Sequence, residues 1–152
     1  LCLLYDHTAP TALTIRPEAL GIQYLNSVYI PQDGLNPGES ILPSQISPTS
    51  QLHLTIWHDA DFISQSEYQM IGAGVYDGRK PMVGAEIVVT LTLPDGSQRS
   101  YPMPLTGPNG QAQVMIDPIP AEKGTLIPYQ VCIINLPDSQ FCNSAEYIIW
   151  DE

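Results

Sequence analysis

The chain has 152 residues, with 16 Asp or Glu against 5 Lys or Arg, for a formal net charge of -11. A surface that acidic does not track phosphates and is repelled by anionic lipid, which excludes nucleic-acid and membrane-surface binders. At 43% hydrophobic the chain has the apolar residues that acidic disordered tails lack, so it is expected to fold, as one domain or as a domain with an extension.

Residues 1–50 hold Pro10, Pro17, Pro31, Pro37, Pro43 and Pro48, a spacing that stops any long helix or central strand. This stretch is expected to be a Pro-rich extension, with one strand at about 22–30 and a linker-like run after Leu35. A start at Leu1 without Met is expected of a trimmed or processed chain. Cys2 follows Leu1, where a small residue would precede a lipid-bearing cysteine, so the simpler expectation for Cys2 is a free thiol. No window approaches the ~18 apolar residues of a membrane helix.

Residues 51–152 alternate strand and turn. The run 52–57 has period two. The run 70–76 repeats it with Ile71, Ala73 and Val75 on one face, and Asp77-Gly78-Arg79-Lys80-Pro81 turns the chain. The run 84–93 is the strongest strand, with Ala85, Ile87, Val89, Leu91 and Leu93 facing a core. Pro94-Asp95-Gly96-Ser97 is a turn in which glycine supplies φ > 0. Strands are predicted at 98–103, at 111–116 with Ala112, Val114 and Ile116 inward, at 127–134 and at 145–150. No segment sustains a helical period. Seven strands with a turn signal every ~8–12 residues predict an all-β, immunoglobulin-like Greek-key sandwich carrying the Pro-rich extension packed on it.

Cys132 and Cys142 flank a turn at Leu136-Pro137-Asp138-Ser139. A hairpin centred on Pro137 places the two cysteines opposite each other, within disulfide range, and a bridge implies an oxidising, extracytoplasmic compartment.

Two segments resemble bacterial immunoglobulin-like modules. Val75-Tyr76-Asp77-Gly78-Arg79-Lys80-Pro81-Met82-Val83-Gly84-Ala85-Glu86-Ile87 is similar to the "V-x-D-x-x-x-x-P-V-x-G-A-x-V" pattern of invasin- and intimin-type repeats. Thr106-Gly107-Pro108-Asn109-Gly110-Gln111-Ala112-Gln113-Val114 is similar to their "T-D-x-x-G-x-A-x-V", with Gly107 in place of Asp. Macroglobulin-like and carboxypeptidase-regulatory-like domains share similar patterns. The resemblance covers about 51–152 and implies stalk, spacer, adhesin or accessory roles beside neighbouring domains. Tyr129, two residues before Val131, resembles a tyrosine corner, with Val131 where the usual inter-sheet cysteine would stand.

Chemistry is sparse. His58-Asp59-Ala60-Asp61 is the one dense group of ligand-type residues, and it has too few converging oxygens or nitrogens for a metal, so it is expected to be a solvated loop after the first strand. No G-x-S-x-G elbow is present, and neither Cys132 nor Cys142 has electropositive neighbours that would activate a thiolate. Gly72-Ala73-Gly74 opens no helix, so the glycines are expected to admit the opposing sheet or the extension rather than a phosphate. Trp57 faces away from Leu54 and Ile56, either exposed or, as expected, covered by Tyr24 or Tyr29; Trp150 lies on the core face or the rim. Trp57 and Trp150 are the candidate ligand-contact aromatics. No catalytic set, metal or cofactor is expected. The expected object is a non-enzymatic surface or secreted module for spacing, display or adhesion, with protein or glycan partners. The alternative is a carbohydrate-binding or hydrolase accessory module using exposed aromatics.

Overall fold

The computed structural model describes residues 39–47, 49–137 and 139–150. The predicted strand at 22–30, Cys2, and Tyr24 and Tyr29 as covers for Trp57 lie outside the described residues.

Strands β1 (Leu52–His58), β2 (Phe62–Ile63), β3 (Gln69–Asp77), β4 (Lys80–Pro81), β5 (Ile87–Thr92), β6 (Gln98–Pro102), β7 (Gln111–Ile116), β8 (Thr125–Ile133) and β9 (Phe141–Ile149) form two packed sheets. In sheet 1, β3 pairs with β1 on one side and with β4 and β7 on the other. Sheet 2 runs in the order β2-β9-β8-β5-β6. The chain changes sheet after β1, β2, β4, β6 and β7, which makes this an immunoglobulin-like sandwich.

Alternation decides which residues enter the core. On β5, Ile87, Val89 and Leu91 are buried while Val88 and Thr90 turn outward. They meet Ile127, Val131 and Ile133 of β8, Tyr147 and Ile149 of β9, and Leu54, Ile56, Ile71, Ala73 and Val75 of sheet 1. Each fully buried aliphatic side chain contributes roughly 1.5–3 kcal/mol. Ile41 joins this core from the end of the Pro-rich stretch: its N–H donates to Pro81 O at 3.0 Å and its carbonyl accepts from Val83 N–H at 2.9 Å.

The two motif segments act on the backbone where β3, β5 and β7 meet. Thr106 is buried, donates to Met82 O at 2.6 Å and accepts from Ala85 N–H at 2.8 Å. Gly110 has φ 76°, and a Cβ there would stand 2.6 Å from Val75 O. Asp77 Oδ1 accepts from Gln51 N–H at 2.7 Å.

Strand ends differ from the prediction. The last strand begins at Phe141, not at 145: Cys142, Asn143 and Ser144 pair with β8, Cys142 and Ser144 pointing outward and the half-buried Asn143 pointing toward the opposite sheet, so no apolar alternation marks them. The two-residue strands β2 and β4 are too short to carry a period. On β3 a Cβ on Gly72 would overlap the Trp57 indole, which lies across it on the outer face of sheet 1, so this glycine does not serve to admit the opposing sheet; the extension named as the other expected neighbour lies outside the described residues. A Cβ on Gly74 would meet Thr55 Oγ1 at 2.9 Å and the Tyr76 ring at 3.0 Å.

Candidate functional site

A polar cluster centred on His58 lies in the sandwich interior, under the crossing from β1 to β2. His58 ends β1 on the same face as Leu54 and Ile56, and its side chain is 1% exposed. Its Nδ1 lies 2.8 Å from the Tyr129 hydroxyl and its Nε2 lies 2.7 Å from Asp61 Oδ1. A carboxylate only accepts, so Nε2 carries the donated proton; in the neutral ring Nδ1 then accepts from the phenol. The Tyr129 and Tyr147 rings pack at 5.8 and 6.0 Å from the imidazole.

Neighbouring bonds fix the crossing. The side chain of Gln69, itself buried, donates to Ala60 O at 2.7 Å and accepts from Ala60 N–H at 3.3 Å. Asp59 N–H donates to Met70 O at 3.1 Å, and Asp61 O accepts from Ile148 N–H at 2.8 Å. The crossing is therefore tied to both sheets.

His58 is thus not part of a solvated loop. Extending the period-two pattern of β1 by one residue places it inside, apart from the acids that follow it in sequence. Tyr129 is not a tyrosine corner either: its hydroxyl meets a side chain of the opposite sheet rather than upstream backbone. Among the described residues no three His, Cys, Asp or Glu side chains gather as a metal set.

An Asp–His–hydroxyl chain has the connectivity of an activated nucleophile. Here the hydroxyl is phenolic, and burial first, with Tyr147 and Asp61 adding to it, pushes its pKa well above the ordinary tyrosine value. Burial likewise pushes Tyr147 up. A buried phenol held neutral is a poor nucleophile, and the arrangement suits a latch between the sheets. Asn143 provides a second tie, donating from Nδ2 to Leu54 O at 3.1 Å.

The surface offers a shallow groove of about 530 Å³ on the outer face of sheet 2, lined by Thr90, Thr92, Gln98, Gln130, Ser144 and Glu146 among others. The disulfide Cys132–Cys142 lies on the same outer face, joining directly opposed residues of β8 and β9 with Cα atoms 4.1 Å apart. The spacing matches the narrow pairs of an antiparallel ladder.

The two tryptophans do not converge. Trp57 is half-buried on the outer face of sheet 1. Trp150 continues the alternation of Tyr147 and Ile149 and stands on the outer face of sheet 2, 46% exposed. Phe62 meets it edge-on at 6.2 Å, and Lys123 Nζ sits 4.6 Å from its ring centroid. The sandwich separates the pair, so one ligand cannot be gripped by both.

No family model and no curated protein matches the chain. Among solved structures, the native conformation of Escherichia coli alpha-2-macroglobulin is similar at 14% identity and a TM-score of 0.53, over 85% of this chain and 7% of that one. A DUF4426 family protein from Pseudomonas aeruginosa aligns at 14% identity and a TM-score of 0.42, over 72% of this chain and 100% of that one. The macroglobulin likeness concerns the fold alone and does not single out the invasin/intimin type. It supports an immunoglobulin-like, macroglobulin-like sandwich that spans 7% of the length of that solved protein.

Proposed function

We propose that the chain is a non-enzymatic, extracytoplasmic module of a larger bacterial surface or secreted protein, of the kind seen in invasin- and intimin-type repeats, serving spacing, display or adhesion. The observation that carries this reading is the Cys132–Cys142 bridge on a solvent-facing sheet surface. Cytosolic reductants would reach a bond placed there, so its persistence calls for an oxidising compartment. The non-enzymatic part rests on the His58 cluster, whose imidazole nitrogens are both engaged within the interior. Peptide mass mapping of the chain, isolated from its native source with thiols alkylated and no reductant, tests the location. A cross-linked pair of peptides is expected, and alkylated thiols at both positions would remove the support. The carbohydrate-binding alternative loses its paired platform, because Trp57 and Trp150 occupy opposite faces and Lys123 covers one side of the Trp150 ring.

A further inference from the structure

Proline is rare in a central strand because it gives the ladder no donor. Pro128 nevertheless stands inside β8, which lies between β9 and β5. Ile134 N–H donates to Glu86 O at 2.9 Å, and antiparallel alternation from that bond points the backbone groups of the even-numbered β8 residues toward β5. The narrow Cys132–Cys142 pair agrees, since it marks the even residues as those not bonded to β9. Leu91 pairs with Tyr129, and continuing that register by one residue sets Thr92 opposite Pro128. Pro128 has no N–H to give the Thr92 carbonyl. Pairing of β5 with β8 ends at this point, while β8 stays paired with β9 as far as Thr125 and Ile149. Thr92 and Pro128 both line the shallow groove of about 530 Å³ on the outer face of sheet 2.

Two outward rows form the floor of this groove. Thr90, Gln130 and Ser144 are neighbours across β5, β8 and β9, and Thr92, Pro128 and Glu146 make the next row. Strands about 4.8 Å apart, with outward residues about 6.8 Å apart along each, give a platform of roughly 10 by 7 Å. The Cys132–Cys142 bridge joins β8 to β9 one outward row beyond Gln130 and Ser144, which fixes the spacing between them.

The groups on the platform set its ligand. Hydroxyls and amides both donate and accept, whereas the Thr92 carbonyl and the Glu146 carboxylate only accept. The Pro128 ring, exposed between them, offers an apolar surface. None of the lining residues is Lys or Arg, so nothing there compensates an anion. A hexose ring matches these features: hydroxyls that donate to the two acceptors, hydroxyls that accept from the amides, a C–H face for the proline, and no charge.

We infer that the groove binds one neutral hexose unit of a glycan, seated on Pro128 with hydroxyls reaching Thr92 O on one side and Glu146 on the other. The site uses neither Trp57 nor Trp150. The inference rests on the adhesive, extracytoplasmic reading above for where such a glycan is met; thiol mapping tests that reading, and sugar titration tests the groove alone.

The test is NMR titration of the isotope-labelled full chain with the methyl glycosides of glucose, galactose and mannose. At least one is expected to give saturable shifts at the amides of Thr92, Gln130, Ser144 and Glu146, with a Kd on the order of 1–10 mM for a ligand of this size. The amides of β1 and β3 are expected to stay in place. Methyl glucuronoside, which adds a carboxylate, is expected to bind at least ~5-fold more weakly. Pro128→Ala returns an N–H to the Thr92 carbonyl and removes the ring, and Glu146→Ala removes an acceptor from an exposed position; each is expected to weaken binding at least ~5-fold. The absence of saturable shifts with all three sugars up to ~100 mM overturns the inference. So does an unchanged affinity in either variant, or glucuronoside binding as tight as that of the neutral sugars. Tighter binding of N-acetyl-lysine amide at the same residues also overturns it, by making the groove a seat for a basic side chain of a protein partner.

Discussion

His58 illustrates what burial does to a single polar residue. With both ring nitrogens bonded and the side chain 1% exposed, it has no water to fall back on. Removing one partner leaves a desolvated nitrogen, at roughly 1–3 kcal/mol. Tyr129→Phe is therefore expected to lower the urea unfolding free energy by about that amount with the fold intact by circular dichroism. Asp61→Asn is expected to lower it by less, about 1 kcal/mol or below, since the carboxylate is 43% exposed and solvent-screened. Equal losses for both variants would remove the reason for treating the imidazole–phenol bond as the main tie. Gly72 makes a complementary case. Any side chain there must displace the Trp57 indole, so Gly72→Ala is expected to cost roughly 1–3 kcal/mol and to shift Trp57 fluorescence. A variant as stable as the parent, with unchanged emission, would show that the indole does not need the bare backbone.

At the scale of elements, the sequence marks strands wherever apolar positions alternate with polar or small ones. The alternation of β1, β3, β5 and β7 is plain because Ile56, Ile71, Val89 and Ile116 recur at every second position beside polar or small neighbours. It fails in the first half of β9, where Cys142, Asn143 and Ser144 lie on a half-exposed edge of the hairpin and their order comes from pairing with β8. The candidate cluster was illegible for a similar reason: His58 and Tyr129 are 71 residues apart in sequence and meet only when the sheets close. The cysteines were legible because hairpin register is local. Their bridge spans a sequence separation of 10, for which the chain-entropy account gives about 3 kcal/mol. Replacing both Cys132 and Cys142 with Ser is expected to lower unfolding free energy by about 2–3 kcal/mol while leaving the β8–β9 register intact, as amide exchange would report. A change of register in the double variant would mean that the bond, not the hairpin, sets the pairing.

Over the whole molecule, burial of phenols links folding to pH. Burial is the largest cause of the raised pKa of Tyr76, Tyr129 and Tyr147 alike, offset at Tyr76 by its bond from Gln111 and at Tyr147 by Arg99. In the unfolded chain these phenols ionise near pH 10, so between that value and their higher folded values the unfolded state loses protons that the folded state keeps. Their contribution to stability is fully present below about pH 10 and is lost as pH rises toward the folded pKa values, at up to ~1.4 kcal/mol per pH unit for each phenol. Urea midpoints measured from pH 8 to 11.5 are therefore expected to stay flat and then fall steeply above pH 10. Tyr147→Phe is expected to remove one phenol's share of that slope. Tyr147 is the residue of choice because its hydroxyl is not the one bonded to His58, so the change isolates burial from the latch. A slope identical to the parent's would mean that Tyr147 ionises in the folded chain about as it does in the unfolded one, and that the interior at its ring is wetter than the closed sandwich implies.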